Sequence, residues 1–412
     1  MSAAFDTVII GAGNAGVSLA ARLRRDGRHN IALVDPSPVH RYRPMLNYAA
    51  TGAARMGRYE RAMPTVVPDG VQLLPHAAVE IDTSTRTITL GRGDVGGTGD
   101  DDEGPSGHRA DGPTTTVGYD KLVLCPGLVP RWGAITGLRE AYLDGWAASA
   151  HVPEYAGRAC AALVRLREGT VAFSVPPEPA SCGGTVLKAM FLACDAWQRA
   201  GVLDHIDVHL VTPFPGLLGL EPTDSRLRPF IGKYGISVHE QAEVTAVDHV
   251  GRTVQLDGPG AATIGDVQLA YVTPPSRAPE FVAASGLGTG DGPALVEVDP
   301  ETLRHVHADS VWGLGDAATV GTRPSGGALR SQVGVVADDF RTGGSAGKYD
   351  GYTIIPIAVS RDRLMLAEHD RDGLPAPSVR GIDLTVPRRS TYGFDRYLQP
   401  IVYFRKLLRG RV

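Results

Sequence analysis

The chain has 412 residues, 43% of them hydrophobic, and a formal net charge of -4, which is enough apolar material for two or three packed domains. Its basic residues are scattered rather than clustered, so the electrostatic footprint of a nucleic-acid binder is missing. No apolar run approaches the roughly 20 residues of a membrane-spanning helix, and MSAAFDTVII lacks the basic stretch and cleavage site of a secretory signal; a cytoplasmic protein is expected.

The opening FDTVIIGAGNAGVSLAARLRRDG reads as an apolar strand over Thr7 to Ile10, then Gly11-x-Gly13-x-x-Gly16, then a helix. A second strand, NIALVDP, ends at Asp35-Pro36. This β-α-β unit is a dinucleotide fingerprint in its required setting. Gly11 permits the turn, Gly13 lets backbone approach a pyrophosphate, and Gly16 lets helix and strand pack closely. The intervening Ala12, Asn14 and Ala15 bring the N–H groups of the helix start to the anion, and Asp35 is placed to accept from a ribose hydroxyl.

From 75 to 125 short alternating strands take over, interrupted at 91 to 113 by a Gly- and Asp-rich stretch with almost nothing to bury, read as a mobile hairpin extension without chemistry. Residues 171 to 175 and 206 to 212 read as strands flanking a helix that starts near Thr185, a second β-α-β unit. Its turn, PPEPASCGG, carries prolines and a thiol where a nucleotide site needs a glycine fingerprint, so nicotinamide binding is disfavoured there. VWGLGDAATVG places Gly315-Asp316 between a short strand and the helix ALRSQVGVVADDF. The tail YLQPIVYFRKLLRGRV alternates Leu398, Ile401, Val402, Leu407 and Leu408 with Arg405, Lys406, Arg409 and Arg411. Such a basic amphipathic segment suits weak contact with a membrane surface or a homodimer interface.

Four cysteines, Cys125, Cys160, Cys182 and Cys194, stand at unrelated spacings without C-x-x-C, so neither a zinc site nor a disulfide framework is readable. Cys194 lies 12 residues beyond Cys182, roughly 18 Å along a helix, too far for a bond. Cys125 follows an apolar run and reads as a small buried hydrophobe. Cys182 precedes a helix N-terminus with Lys188 one and a half turns on, and both features are expected to lower its pKa. Glu178 would serve as a base if a dry pocket raised its carboxyl; His40 is read as a flavin contact or a loop cap.

The colinear order of GAGNAG, Asp35-Pro36, HRYRPMLNYAATG, YDKLVLCPGL, PxSCGG, VTPP, GLGDA, KYDGY and LMLAEHD resembles the sulfide:quinone oxidoreductases, in particular the branch that includes the mitochondrial enzymes. The resemblance implies an α/β protein of two Rossmann-like three-layer domains plus a C-terminal segment, with FAD as cofactor. Residues 1–145 and 290–345 would form the FAD domain, 146–289 a second domain with a degenerate nucleotide site, and 346–412 a segment covering the flavin or making an interface. Matched to the family, Gly11, Gly13, Gly16 and Asp35 hold the FAD pyrophosphate and ribose, Arg43-Pro44 run past the isoalloxazine, Val79 lies by the adenine, and Pro126-Gly127 and Gly315-Asp316 are later contacts. Cys182 matches the first redox cysteine and Lys188 a lysine after it.

Three departures accompany the match. Ile355 stands where the mitochondrial-type enzymes carry a second redox cysteine, TRPSGGALRSQ replaces a threonine-serine-lysine stretch, and the chain ends after one amphipathic segment. The resemblance implies oxidation of a small sulfur compound at the flavin, with electrons passing to a quinone or another acceptor, here with one active-site cysteine. Two other readings stand beside it: direct hydride transfer from a different organic substrate, and a flavin-holding subunit that serves a partner protein.

Overall fold

In the computed structural model, residues 3–55, 57–92, 113–290, 292–344 and 347–411 are described. The glycine-rich extension expected between 91 and 113 falls largely outside them.

The first sheet has a parallel core in the order Val71–Leu74, Ile31–Val34, Ala3–Ile10, Thr115–Leu124, Val311–Gly313. An antiparallel hairpin, Ala77–Asp82 with Thr87–Gly91, continues it from the start of Thr115–Leu124. Residues 7 to 10 and 31 to 34 are all buried, the run of apolar positions that a strand covered on both faces requires. The helix Asn14–Arg25 packs on this sheet through Ala15, Gly16, Leu19, Ala20 and Leu23 and closes with Arg22, Arg24 and Arg25 in its last turn, where cations complement the dipole.

A second parallel sheet runs Ser237–His239, Ile206–Val211, Gly169–Ser174, Val267–Val272. A three-stranded antiparallel sheet, Glu243–Asp248, Thr253–Asp257 and Thr263–Ile264, lies beside it. The fold is α/β with two Rossmann-like sheets, and the element predicted to start near Thr185 is the helix Val186–Ala200. Eleven of its fifteen residues are buried, more than one face can account for. The surplus faces the C-terminal hairpin Thr353–Ser360 and Arg363–His369.

The remainder of the chain wraps back over both sheets as the helix Arg389–Gly393, a π-helical turn Phe394–Leu398 and the helix Gln399–Arg405. The π-turn drives two charges inward. Asp395 accepts from Lys188 Nζ at 2.7 Å and from the Tyr48 hydroxyl at 2.7 Å. Arg396 donates to the Tyr59 hydroxyl and the Ala53 carbonyl at 2.6 and 2.8 Å. The Lys188 ammonium also lies 4.2 Å from the centre of the fully buried Tyr48 ring.

Removing one partner from such a pair strands a buried charge. Asp395→Ala should therefore destabilise the protein by about 3–5 kcal/mol, read as a lowered urea midpoint. The double replacement Lys188→Met/Asp395→Leu should recover most of that loss.

Candidate active site

The fingerprint loop is built on backbone-to-backbone contact. A Cβ on Gly11, whose φ is +102°, would sit 2.2 Å from the Cys125 carbonyl oxygen, and one on Gly16 would sit 1.9 Å from the Gly11 oxygen. A Cβ on Gly13 would meet nothing within 4 Å, so that side of its backbone is open to a ligand. Asp35 braces the loop, one oxygen accepting from Ala12 N–H at 2.7 Å and the other from Ser37 N–H at 2.8 Å.

From Ala12, Gly13, Asp35 and Pro36 a cleft of about 560 Å³ runs past Arg43 and Pro126 to Ser181, within the size of a cofactor site. A dinucleotide fits its chemistry. The cleft begins at an unobstructed glycine and a 12-residue helix N-terminus, which favour a pyrophosphate. Gly315, with φ +82°, donates its N–H to Gln332 Oε1 at 2.9 Å, and a Cβ there would touch Ala15 at 3.7 Å, so the third segment reaches the first turn of that helix. Asn14 faces the later TRPSGGALRSQ stretch, its Nδ2 3.6 Å from where a Cβ on Gly326 would lie.

Not every predicted contact reaches the cleft. Pro44 lies in the turn Arg43–Met45 and Gly127 follows Pro126 with φ +74°, but neither lines it. Val79 sits at a register shift, its side chain beside Gly91, and is likewise outside the lining.

Cys182 follows Ser181 in the chain and is itself outside the lining of this cleft. Its backbone is left-handed, φ 52° and ψ 45°, and it is pinned on two sides. Its N–H donates to the Pro324 carbonyl at 3.2 Å, and its own carbonyl accepts from Thr185 N–H at 2.9 Å and the Thr185 hydroxyl at 2.8 Å. His151 Nε2 lies 3.3 Å from the same carbonyl. A carbonyl only accepts, so Nε2 carries the ring proton. Burial and the Arg43 guanidinium hold this imidazole neutral, its pKa lowered to about 4.

The thiol corrects the sequence reading. Burial first, then the Asp316 carboxylate, pushes Cys182 up to about 12, against smaller opposing effects of the Gly326 N–H and Arg43. Lys188, expected to lower it, points instead into the buried pair with Asp395. A 3₁₀ turn, Gly183–Thr185, separates Cys182 from the helix proper, so the dipole is weaker at the sulfur than the sequence suggests.

Two carboxylates flank the thiol. Asp316 accepts from Ser181 Oγ at 2.5 Å, which ties the Gly315-Asp316 segment to the cysteine loop. Glu178 accepts from Ala180 N–H at 2.9 Å and its carboxyl is raised by desolvation, but the residue lies on an exposed part of the loop rather than in a dry pocket. Ile355 lies on the opposite side of the turn: a Cβ on Gly184 would approach two of its side-chain carbons at 3.2 Å. It is 3% exposed and shares a core with Leu218, Val186 and Leu187.

All four cysteines are free. Cys125 is buried against the fingerprint, its thiol 3.5 Å from the Gly11 carbonyl, and burial holds it protonated. Among the described residues no cluster of His, Cys, Asp and Glu could hold a metal ion. His151 escaped the sequence reading because a single histidine in SAHVPEY has no partner nearby in sequence.

Residues 5–334 match the model of the pyridine nucleotide-disulphide oxidoreductase family. The mitochondrial sulfide:quinone oxidoreductase of Mus musculus is 25% identical over 98% of this chain and 87% of its own length. That of Schizosaccharomyces pombe is 24% identical over 98% and 90%. The crystal structure of the sulfide:quinone oxidoreductase from Aquifex aeolicus superposes with a TM-score of 0.79 at 16% identity, covering 100% of this chain and 92% of that one. The fingerprint, the cleft that continues from it and the match of 330 residues together place the chain in the pyridine nucleotide-disulphide oxidoreductase family, as an FAD-dependent oxidoreductase similar along its length to sulfide:quinone oxidoreductases.

Proposed function

We propose that the protein oxidises a small sulfur species, sulfide, persulfide or thiol, at FAD, with Cys182 as its one sulfur-carrying residue and a quinone or another acceptor taking the electrons. The observation that supports this reading is the placement of Cys182 directly after Ser181, which lines the cleft that starts at the dinucleotide fingerprint and is tied to Asp316. FAD would be held by Ala12, Gly13, Asp35, Pro36, Arg43 and Pro126, which line the cleft, with Gly11, Asn14, Ala15, Gly16 and the Gly315-Asp316 segment shaping the loop and helix start beside it and with Pro44, Val79 and Gly127 likewise outside its lining.

Bound FAD supplies a two-electron acceptor. The chain supplies the sulfur site: Cys182 thiol plus hydrogen sulfide give a Cys182 persulfide, two protons and two electrons, and the electron pair leaves through the flavin. An external thiol then takes the outer sulfur and restores Cys182. Ile355 fills the side on which a second thiol would stand, so the outer sulfur departs into the cleft rather than to an internal partner. Because the thiol rests protonated, its reactive form requires loss of the proton to a neighbour. Asp316 and Glu178 are the carboxylates whose charge reaches the thiol, Asp316 the more strongly, and either would take it.

The C-terminal helix supports a place for the acceptor. Phe394, Tyr397, Leu398 and Ile401, on the π-helical turn and the start of the helix after it, are apolar side chains 42–59% exposed, followed by exposed Arg405, Lys406 and Arg409. This is the pattern of a segment that lies on an anionic lipid surface, where a lipid-soluble quinone resides. Among the described residues no helix is long and apolar enough to cross a membrane.

Anaerobic titration with sulfide tests the sulfur reaction. The wild-type flavin absorbance should bleach, Cys182→Ser should lose the response by at least about a hundredfold, and unchanged bleaching in that variant would end the proposal. Alkylation of Cys182 in the apoprotein by iodoacetamide, followed by mass spectrometry, should accelerate roughly tenfold per pH unit and still be rising at about pH 10, below the raised thiol pKa. Tyr397→Asp/Ile401→Asp should abolish cosedimentation with vesicles rich in phosphatidylserine while leaving sulfide bleaching intact.

A further inference from the structure

We infer that Tyr403 and His40 are positioning residues for FAD, through which the end of the chain sets the fingerprint loop. The connection is a relay of three groups. Tyr403 hydroxyl lies 2.7 Å from His40 Nε2, and His40 Nδ1 lies 3.0 Å from the carbonyl oxygen of Ala12. Because that carbonyl only accepts, Nδ1 carries the proton; Nε2 is then a bare acceptor, and the tyrosine hydroxyl must be its donor. Both side chains are buried, His40 at 2% and Tyr403 at 4% exposure, so each bond lacks a competing water. Ala12 is the fingerprint residue between the two cleft glycines, and its N–H is already held by Asp35 at 2.7 Å. His40 holds the other end of the same residue. The main-chain groups that meet a pyrophosphate are thus oriented from both sides, and one of the two braces originates in the C-terminal helix.

The rest of that segment is fitted to the same unit. Tyr403 packs against Tyr42 with ring centres 4.3 Å apart, and Arg61 stands 4.6 Å over Phe404. Leu407 and Leu408 are buried in the core shared with the helix Asn14–Arg25. A Cβ on Gly410 would lie 2.6 Å from Arg22 N and 2.7 Å from the Ala21 carbonyl carbon. Residues 399–410 therefore form a strap on the first β-α-β unit.

Tyr403→Phe keeps the ring and removes the donor. The test measures FAD dissociation by the rise of flavin fluorescence on dilution of the holoprotein, the FAD affinity of the reconstituted apoprotein, and the thermal midpoint of the apoprotein alone. The expected result is FAD binding weaker by about tenfold, the effect of stranding one buried acceptor, with a holoprotein midpoint that falls further than the apoprotein midpoint. The double variant His40→Ala/Tyr403→Phe should bind FAD no more weakly than His40→Ala, since the hydroxyl acts only through the imidazole. Unchanged FAD affinity in Tyr403→Phe overturns the inference. So does an equal fall in both midpoints, or full additivity of the two substitutions.

Discussion

The whole arrangement depends on one close approach, that of the Gly11 turn to the end of the strand Thr115–Leu124. With 2.2 Å between a would-be Cβ on Gly11 and the Cys125 carbonyl oxygen, and 1.9 Å between one on Gly16 and Gly11 itself, no side chain is tolerated at either position. That contact puts the helix start, the Cys125-Pro126 bend and the mouth of the cleft in one place. Val311–Gly313 then joins the same strand on its other edge, which delivers Gly315-Asp316 to the same point. The cysteine loop arrives last, tied by Ser181 to Asp316. Each later segment is positioned by a hydrogen bond to one already fixed, so the geometry at Cys182 is inherited from the glycine contact.

Much of this was legible in the sequence because it rests on local rules. Gly11-x-Gly13-x-x-Gly16 between an apolar strand and a small-residue helix has one low-energy use, and period and turn chemistry located the strands at 169–174 and 206–211 within a few residues. The strand-loop-helix at Cys182 was equally local. What the sequence left dark depends on contacts between distant segments. Lys188 looked like a partner for Cys182 because the two are neighbours along the chain. In three dimensions a helix at residue 188 turns that side chain away, toward an aspartate at 395. The thiol pKa was misjudged for the same reason: proximity to a helix start is visible in a sequence, whereas desolvation and the Asp316 carboxylate are not.

The C-terminal segment illustrates a second limit. Its alternation of apolar and basic residues signals an amphipathic helix but not which apolar residues face inward. The structure divides them, Leu407 and Leu408 into the core and Leu398 and Ile401 outward, because the π-helical turn at Phe394–Leu398 shifts the register of the helix that follows. The same shift directs Asp395 and Arg396 inward. A 3.6-residue period drawn over that stretch cannot anticipate a turn that breaks it.

The order in which the chain is made gives the split first sheet a further meaning. A polypeptide is synthesised from its N-terminus, yet the sheet that contains Ala3–Ile10 receives its Val311–Gly313 strand only after the residues between them have been joined, and the Tyr403 bond later still. The fingerprint leaves the ribosome well before the segments that finish it. Until then its glycine turn lacks neighbours that hold it, so secure capture of the flavin belongs to a chain that already includes Tyr403.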